Sequence, residues 1–144
     1  PSAVLDAAGL RALQHAVDSV YVDPGVISYA VSVATATRAP GNVGLPELAR
    51  YVSFGASPRA SINLVLAARA LAYLRGRDYV LPQDARDLVP DVFRHRMVLG
   101  YEAMADDVTA DDLLGPIVAI GVDEGERRQG RCRSRRRRCA ACRW

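Results

Sequence analysis

The sequence predicts an all-α fold, a bundle of four to six helices followed by a disordered basic tail. Three observations carry this expectation. Leu10, Leu13, Val17 and Val20 recur at helical spacing. Asp23-Pro24, Ser57-Pro58 and Pro82-Gln83-Asp84 mark helix starts, with proline placed where a missing N–H costs nothing. The run 58–75, rich in Ala, Leu and Arg, stops at Gly76, a natural residue just past a helix end.

Residues 1–8 read as a linker and 8–20 as the first helix. The run 25–37 fits two periods. Ile27, Ala30, Val31 and Ala34 share a helical face, whereas Ile27, Tyr29, Val31 and Val33 alternate as in a strand. The Asp-Pro start and the length of the run decide for helix, with Asp23 as its N-cap. Residues 38–44 carry turn signals and 46–51 read as a short helix. Residues 52–56 lead into helix 58–75. The next helix, 82–89, is expected to be interrupted at Pro90 and to resume separately over 91–97. A short hairpin or extended segment is expected over 97–101 and a loop at Asp106, Asp107 and Thr109. Thr109 then caps a last helix over 110–120, with Asp111 and Asp112 favourable in its first turn, although Gly115-Pro116 falls inside it.

A chain of 144 residues, half of them hydrophobic, allows one domain of 9–121 with a real core and a tail of 122–144. Nothing approaches the roughly 18 apolar residues of a membrane span, and PSAVLDAAGL has no basic, cleavable leader pattern. The expected location is cytoplasmic. Residues 1–121 hold ten arginines and thirteen acids, a net of −3, and residues 122–144 hold nine arginines and three acids, a net of +6. Cys132, Cys139 and Cys142 all lie in the tail, so the body uses no disulfide, which fits a reducing compartment.

Three readings compete for the tail. The run Arg135–Arg138 suits a nucleic-acid or anionic-surface arm. Cys139-x-x-Cys142 hints at zinc or redox chemistry, but three cysteines fall short of the usual four ligands and no thioredoxin-like frame is present. The favoured reading is that the tail is GC-rich DNA read out of frame. In each case it buries too little apolar surface to offset its ordering entropy, and Trp144 is expected to be exposed.

Arg59 stands in the first turn of the helix begun by Ser57 and Pro58. A guanidinium on a rigid element presents a planar fork of donors that suits a phosphate, and a helix N-terminus favours anions. The same short pattern also fits a solvated arginine at a helix start. Arg59, Ile62, Leu66, Arg69 and Tyr73 form one stripe of this helix, with Leu64, Ala67, Ala68, Leu71 and Leu74 opposite. Such a helix is buried on both sides, or buried on one and docked against a partner on the other.

GASPRA, AARALAYLRGRDYV, the Pro82-Gln83-Asp84 helix start and Arg94-His95-Arg96 are specific as a set. Over about residues 10–120 the chain closely resembles the C-terminal lid subdomain of the MoxR-type AAA+ ATPases. LPELARYVSFGASPRA is similar to a subgroup with an extra short helix before the motif. The resemblance implies a lid packed over a nucleotide, with a sensor-2 arginine reaching the γ-phosphate, a role that falls on Arg59. Ser57 would support it by fixing the helix start, and Gly55 would let the backbone approach closely. It further implies ATP and Mg²⁺ as cofactors of the complete ATPase and a nucleotide-binding core as partner. A homo-oligomeric ring and chaperone-like remodelling with a von Willebrand A-domain protein complete the implied assembly. The chain has no G-x-x-x-x-G-K-[ST] and no lysine. It is therefore expected to be inactive alone, a fragment by truncation or excision. The alternative function is a helical module that uses its Arg-rich tail on nucleic acid.

Other constellations carry less. Arg94-His95-Arg96 reads either as a subunit or phosphate contact or as a solvated helix end. His15 and His95 have no companions at ligand spacing, so no metal site is expected in the body. Asp84, Asp87 and Asp91 recur at three and four, and read as a solvated acidic face.

Overall fold

Side-chain acceptors and prolines set most of the helix starts. The computed structural model describes residues 5–119. The expectations for the tail 122–144 and for Trp144 lie outside the described residues. Helix α1 (Ala7–Asp18) begins at Asp6, whose carboxylate accepts the Gly9 N–H at 2.7 Å. It reaches into the stretch expected to be linker because Asp6 supplies this cap. Helix α2 (Pro24–Arg38) begins at Asp23, which accepts the Gly25 N–H at 2.7 Å. Among its buried residues Val26, Tyr29, Ala30, Val33, Ala34, Ala36 and Thr37, all but Ala36 recur at three and four, which settles helix against strand. The inward face is rotated from the expected one. Ala30 and Ala34 are buried, while Ile27 and Val31 are 46% and 50% exposed. Alanines at the seam let α2 and the following long helix approach closely and leave Ile27 and Val31 outside it.

Two 3-10 turns, Pro40–Val43 and Pro46–Tyr51, are separated by Gly44 at φ +83° and lead to strand β1 (Val52–Phe54). Helix α3 (Pro58–Leu74) follows and buries Ala60, Leu64, Ala68 and Ala72, one residue per turn. It ends as Gly76 predicts. Gly76 has φ +72°, its N–H donates to the Tyr73 carbonyl, and the Arg77 N–H donates to the Ala72 carbonyl. Just beyond, Tyr21 and Tyr79 form a parallel bridge that ties the α1–α2 connection to this turn.

Helix α4 (Pro82–Phe93) runs through Pro90 instead of breaking there. Pro90 lies in the last turn, so one hydrogen bond is forfeited. Val89 and Phe93 beside it are both fully buried, each worth about 1.5–3 kcal/mol of burial. A 3-10 turn (Arg94–Arg96) leads to strand β2 (Val98–Leu99), which pairs antiparallel with β1, Val52 opposite Leu99 and Phe54 opposite Val98. Helix α5 (Tyr101–Ala105) and a final helix α6 over 110–119 follow. Thr109 caps α6 as expected. Its N–H donates to Asp112 at 2.9 Å, and the Asp112 N–H donates to the Thr109 hydroxyl at 3.3 Å. The described residues thus hold six α-helices, three 3-10 turns and a two-stranded sheet. One core joins Val33 of α2, Leu64 of α3, Val89 and Phe93 of α4, and Leu113, Leu114 and Ile117 of α6.

Candidate functional site

The segment that delivers Arg59 to the surface is held from behind. Gly55 lies against the end of α2, where a Cβ would stand 2.5 Å from the Thr37 carbonyl oxygen and 2.6 Å from the Arg38 nitrogen. Only glycine lets the two backbones meet at this distance. The next residue, Ala56, is fully buried, and its N–H donates to the Thr37 hydroxyl at 3.0 Å. Ser57 then takes the N-cap position with extended backbone, φ −72° and ψ 163°, but its hydroxyl makes no capping hydrogen bond. The Ser57 carbonyl accepts the Ala60 N–H at 2.8 Å, and Pro58 has no N–H to offer.

Arg59 follows on the exposed side of the first turn. Among the described residues it pairs with no carboxylate within 4.0 Å. The guanidinium is exposed and, among the described residues, not neutralised by a carboxylate. Down the helix from it, Ile62 and Leu66 are 59% and 48% exposed. With Val65, Ser61 and Arg69, and with Ile27 and Val31 of α2, they line a trough of about 250 Å³. The outer stripe of α3 is therefore open, and the reading in which α3 is buried on both sides does not hold. Leu74, assigned to the inner side, is 81% exposed because it lies at the helix end.

The far end of α3 is built from charge. Asp84 is fully buried and accepts from the Arg75 guanidinium at 2.6 Å, from Arg77 at 2.6 and 2.7 Å, and from the Leu81 N–H at 2.8 Å. The Arg77 hydrogen bonds, with the Leu81 N–H and Arg75, hold its carboxyl at about 2, against burial that pushes it upward. Asp87 accepts from Arg75 at 3.0 Å, and this bond lowers its carboxyl as well. The expectation of a solvated acidic face is thus corrected at Asp84. The arginines of the Arg75-Gly76-Arg77 turn fold back onto the start of α4 and enclose it. Asp91 does stay exposed, 3.8 Å from Arg94.

Arg94 spends its charge inside the domain, with its Nε 2.8 Å from Asp111 of α6. His95 is exposed and Arg96 half-buried. No group of three or more His, Cys, Asp or Glu side chains among the described residues could hold a metal ion. No helix among them is long and apolar enough to cross a membrane. The structure brings Gly55, Ser57 and Arg59 together and adds Thr37, which sequence reasoning missed. A threonine at the end of a helix carries no signal of its own, and only the GASPR glycine hinted that some backbone must lie close.

The family of the AAA lid domain matches residues 48–117, a stretch that runs from the second 3-10 turn through Arg59 and both ends of α3 into α6. The chain carries an AAA lid of the MoxR type. It is 42% identical over 115 residues to "Chaperone MoxR1" of Mycobacterium tuberculosis, an alignment that takes in 80% of this chain and 30% of that protein. It is 42% identical over 106 residues to "Protein MoxR" of Methylorubrum extorquens, covering 69% of this chain and 30% of the relative. A solved chain from Cytophaga hutchinsonii, provisionally described as an ATPase, superposes with a TM-score of 0.71 at 35% identity. That superposition covers 73% of this chain and 32% of the solved one. This chain therefore spans about 30% of the length of the curated relatives it matches. The all-α lid expected from the sequence and the MoxR resemblance both stand.

Proposed function

We propose that this MoxR-type lid senses the nucleotide of an AAA+ ATPase through Arg59, its sensor-2 residue, and converts that contact into lid closure for chaperone-like remodelling. The observation that supports this most is the state of Arg59. It is exposed on a rigid first turn with no carboxylate partner among the described residues, whereas Arg75, Arg77 and Arg94 are all committed to aspartates. An unneutralised guanidinium at a helix N-terminus fits phosphate oxygens through two parallel N–H donors. The remaining phosphate and Mg²⁺ contacts have no match in this sequence, which lacks lysine and the phosphate-loop pattern, so a nucleotide-binding core must provide them. ATP and Mg²⁺, held on that core, would supply the phosphoryl chemistry. The residues of this chain would orient Arg59, keep its charge free and offer the trough beside it as the face turned toward the core. A cytoplasmic homo-oligomeric ring, and a von Willebrand A-domain partner for it, belong to the same proposal.

In the complete ATPase, Arg59→Ala is expected to lower ATP turnover on the order of 10-fold or more, as loss of one preorganised donor does. The thermal melt of the lid should stay unchanged. Undiminished hydrolysis and remodelling in that variant would overturn the assignment.

A further inference from the structure

We infer that Thr37 is a positioning residue for Arg59, acting as the acceptor that fixes where α3 begins. The inference rests on the reading of Arg59 given above. Thr37 is fully buried in the last turn of α2. Its hydroxyl donates to the Ala34 carbonyl at 2.8 Å, a local bond common for threonine in helices. Its second bond is not local. The oxygen accepts the Ala56 N–H at 3.0 Å across 19 residues of chain. Ala56 has no exposed surface, so water cannot replace this acceptor, and a buried N–H left alone is costly.

Three further facts put the burden on this bond. Gly55 brings the two backbones into contact, so a small displacement at Thr37 passes directly to the entering strand. The Ser57 hydroxyl does not cap α3, so the usual side-chain anchor of a helix start is missing. Ala60, one residue past Arg59, is fully buried and fixes the rotation of the first turn once its entry point is set. The Thr37 hydroxyl thus anchors the chain to the body of the bundle at Ala56, three residues before the arginine.

Two variants separate positioning from bulk stability. Thr37→Val keeps the shape and removes the hydroxyl, and Thr37→Ser keeps the hydroxyl. In the full chain, Thr37→Val should speed hydrogen exchange of the Ala56 amide at least ~10-fold, while the Leu81 amide, held by Asp84 at the other end of α3, stays as in the parent. Thr37→Ser should return Ala56 to near the parent rate. In the complete ATPase, Thr37→Val should lower kcat about 5-fold or more with KM for ATP within about 2-fold, since a misplaced group costs turnover before binding. Thr37→Ser should restore kcat. If Thr37→Val does not fold, Gly55→Ala disturbs the same joint from the opposite side with the hydroxyl intact, and should give the same kcat loss. Unchanged Ala56 exchange in Thr37→Val overturns the inference. So does normal kcat in Thr37→Val, or in Gly55→Ala where that stands in, alongside an impaired Arg59→Ala. Normal turnover in Arg59→Ala would instead remove the sensing role, and the Ala56 exchange would still decide whether Thr37 sets the start of α3.

Discussion

The two ends of α3 are built on opposite principles. At its C-terminal end, two arginines close on one buried carboxylate, and a second carboxylate joins from the next turn. At its N-terminal end, one neutral hydroxyl and one glycine set the geometry, and the arginine there is left without a counter-charge among the described residues. Charge at the far end is used to hold the α3–α4 corner. Charge at the near end stays available because the holding is done by uncharged groups. A carboxylate beside Arg59 would stabilise the helix start and, by the same contact, compete with any phosphate.

The contrast yields an ordered set of expectations. The largest belongs to the charged end. Asp84→Asn leaves two guanidinium groups facing a buried amide and should cost about 2–4 kcal/mol in urea unfolding, at the lower side of a broken buried pair because Arg75 is 43% exposed. A loss below about 0.5 kcal/mol would mean that the cluster is solvated in practice and that the contrast between the ends is false. Next, Gly55→Ala drives a methyl into the Thr37 carbonyl and should cost about 1–3 kcal/mol, read as a lowered melting temperature.

A pH titration sharpens the first prediction. The Asp84 carboxyl is held at about 2 in the folded chain against an ordinary 3.8. Its depressed value means that its stabilisation is fully present above about pH 4 and is lost as pH falls toward 2. After a discount for the part-exposed arginines, this amounts to about 1–2 kcal/mol. The stability gap between the parent and Asp84→Asn should therefore narrow between pH 4 and pH 2, while the gap between the parent and Gly55→Ala stays flat. The smallest effect is at Arg59 itself. Because Arg59 is exposed and, among the described residues, unpaired, Arg59→Ala should change unfolding free energy by no more than about 0.5 kcal/mol in the same urea experiment. A larger loss would show that the arginine is a structural strut.

What the sequence disclosed follows the range of each interaction. Asp23, Gly76 and Thr109 act on backbone within a few residues, and each did what its type and place predict. Composition, the Ser57-Pro58 start and the Gly76 stop also fixed α3, but of its buried residues Ala60, Leu64, Ala68 and Ala72 only Leu64 and Ala68 lay on the expected inner stripe. Pro90 misled because its local penalty was weighed without the burial of Val89 and Phe93 that outweighs it. Ile27 and Val31 misled because hydrophobicity marks a face without saying which of two adjacent faces turns inward. Asp84 and Thr37 were illegible for a stronger reason. The partners of Asp84 sit across a helix–helix corner and that of Thr37 lies across a whole connection, and neither aspartate nor threonine announces a distant mate. Arg59 was legible as a position and as a motif, and its freedom from carboxylates among the described residues became visible only in three dimensions.

The pairing of Phe54 with Val98 has a consequence for assembly of the chain. Everything from Gly55 to Met97, helices α3 and α4 included, lies inside the loop that this pairing closes. Closing so long a loop is entropically unfavourable until the helices within it have already shortened the path. The little sheet is thus expected to be a seam sewn last, and a fluorophore placed across it should report completion of the domain after its helices are in place.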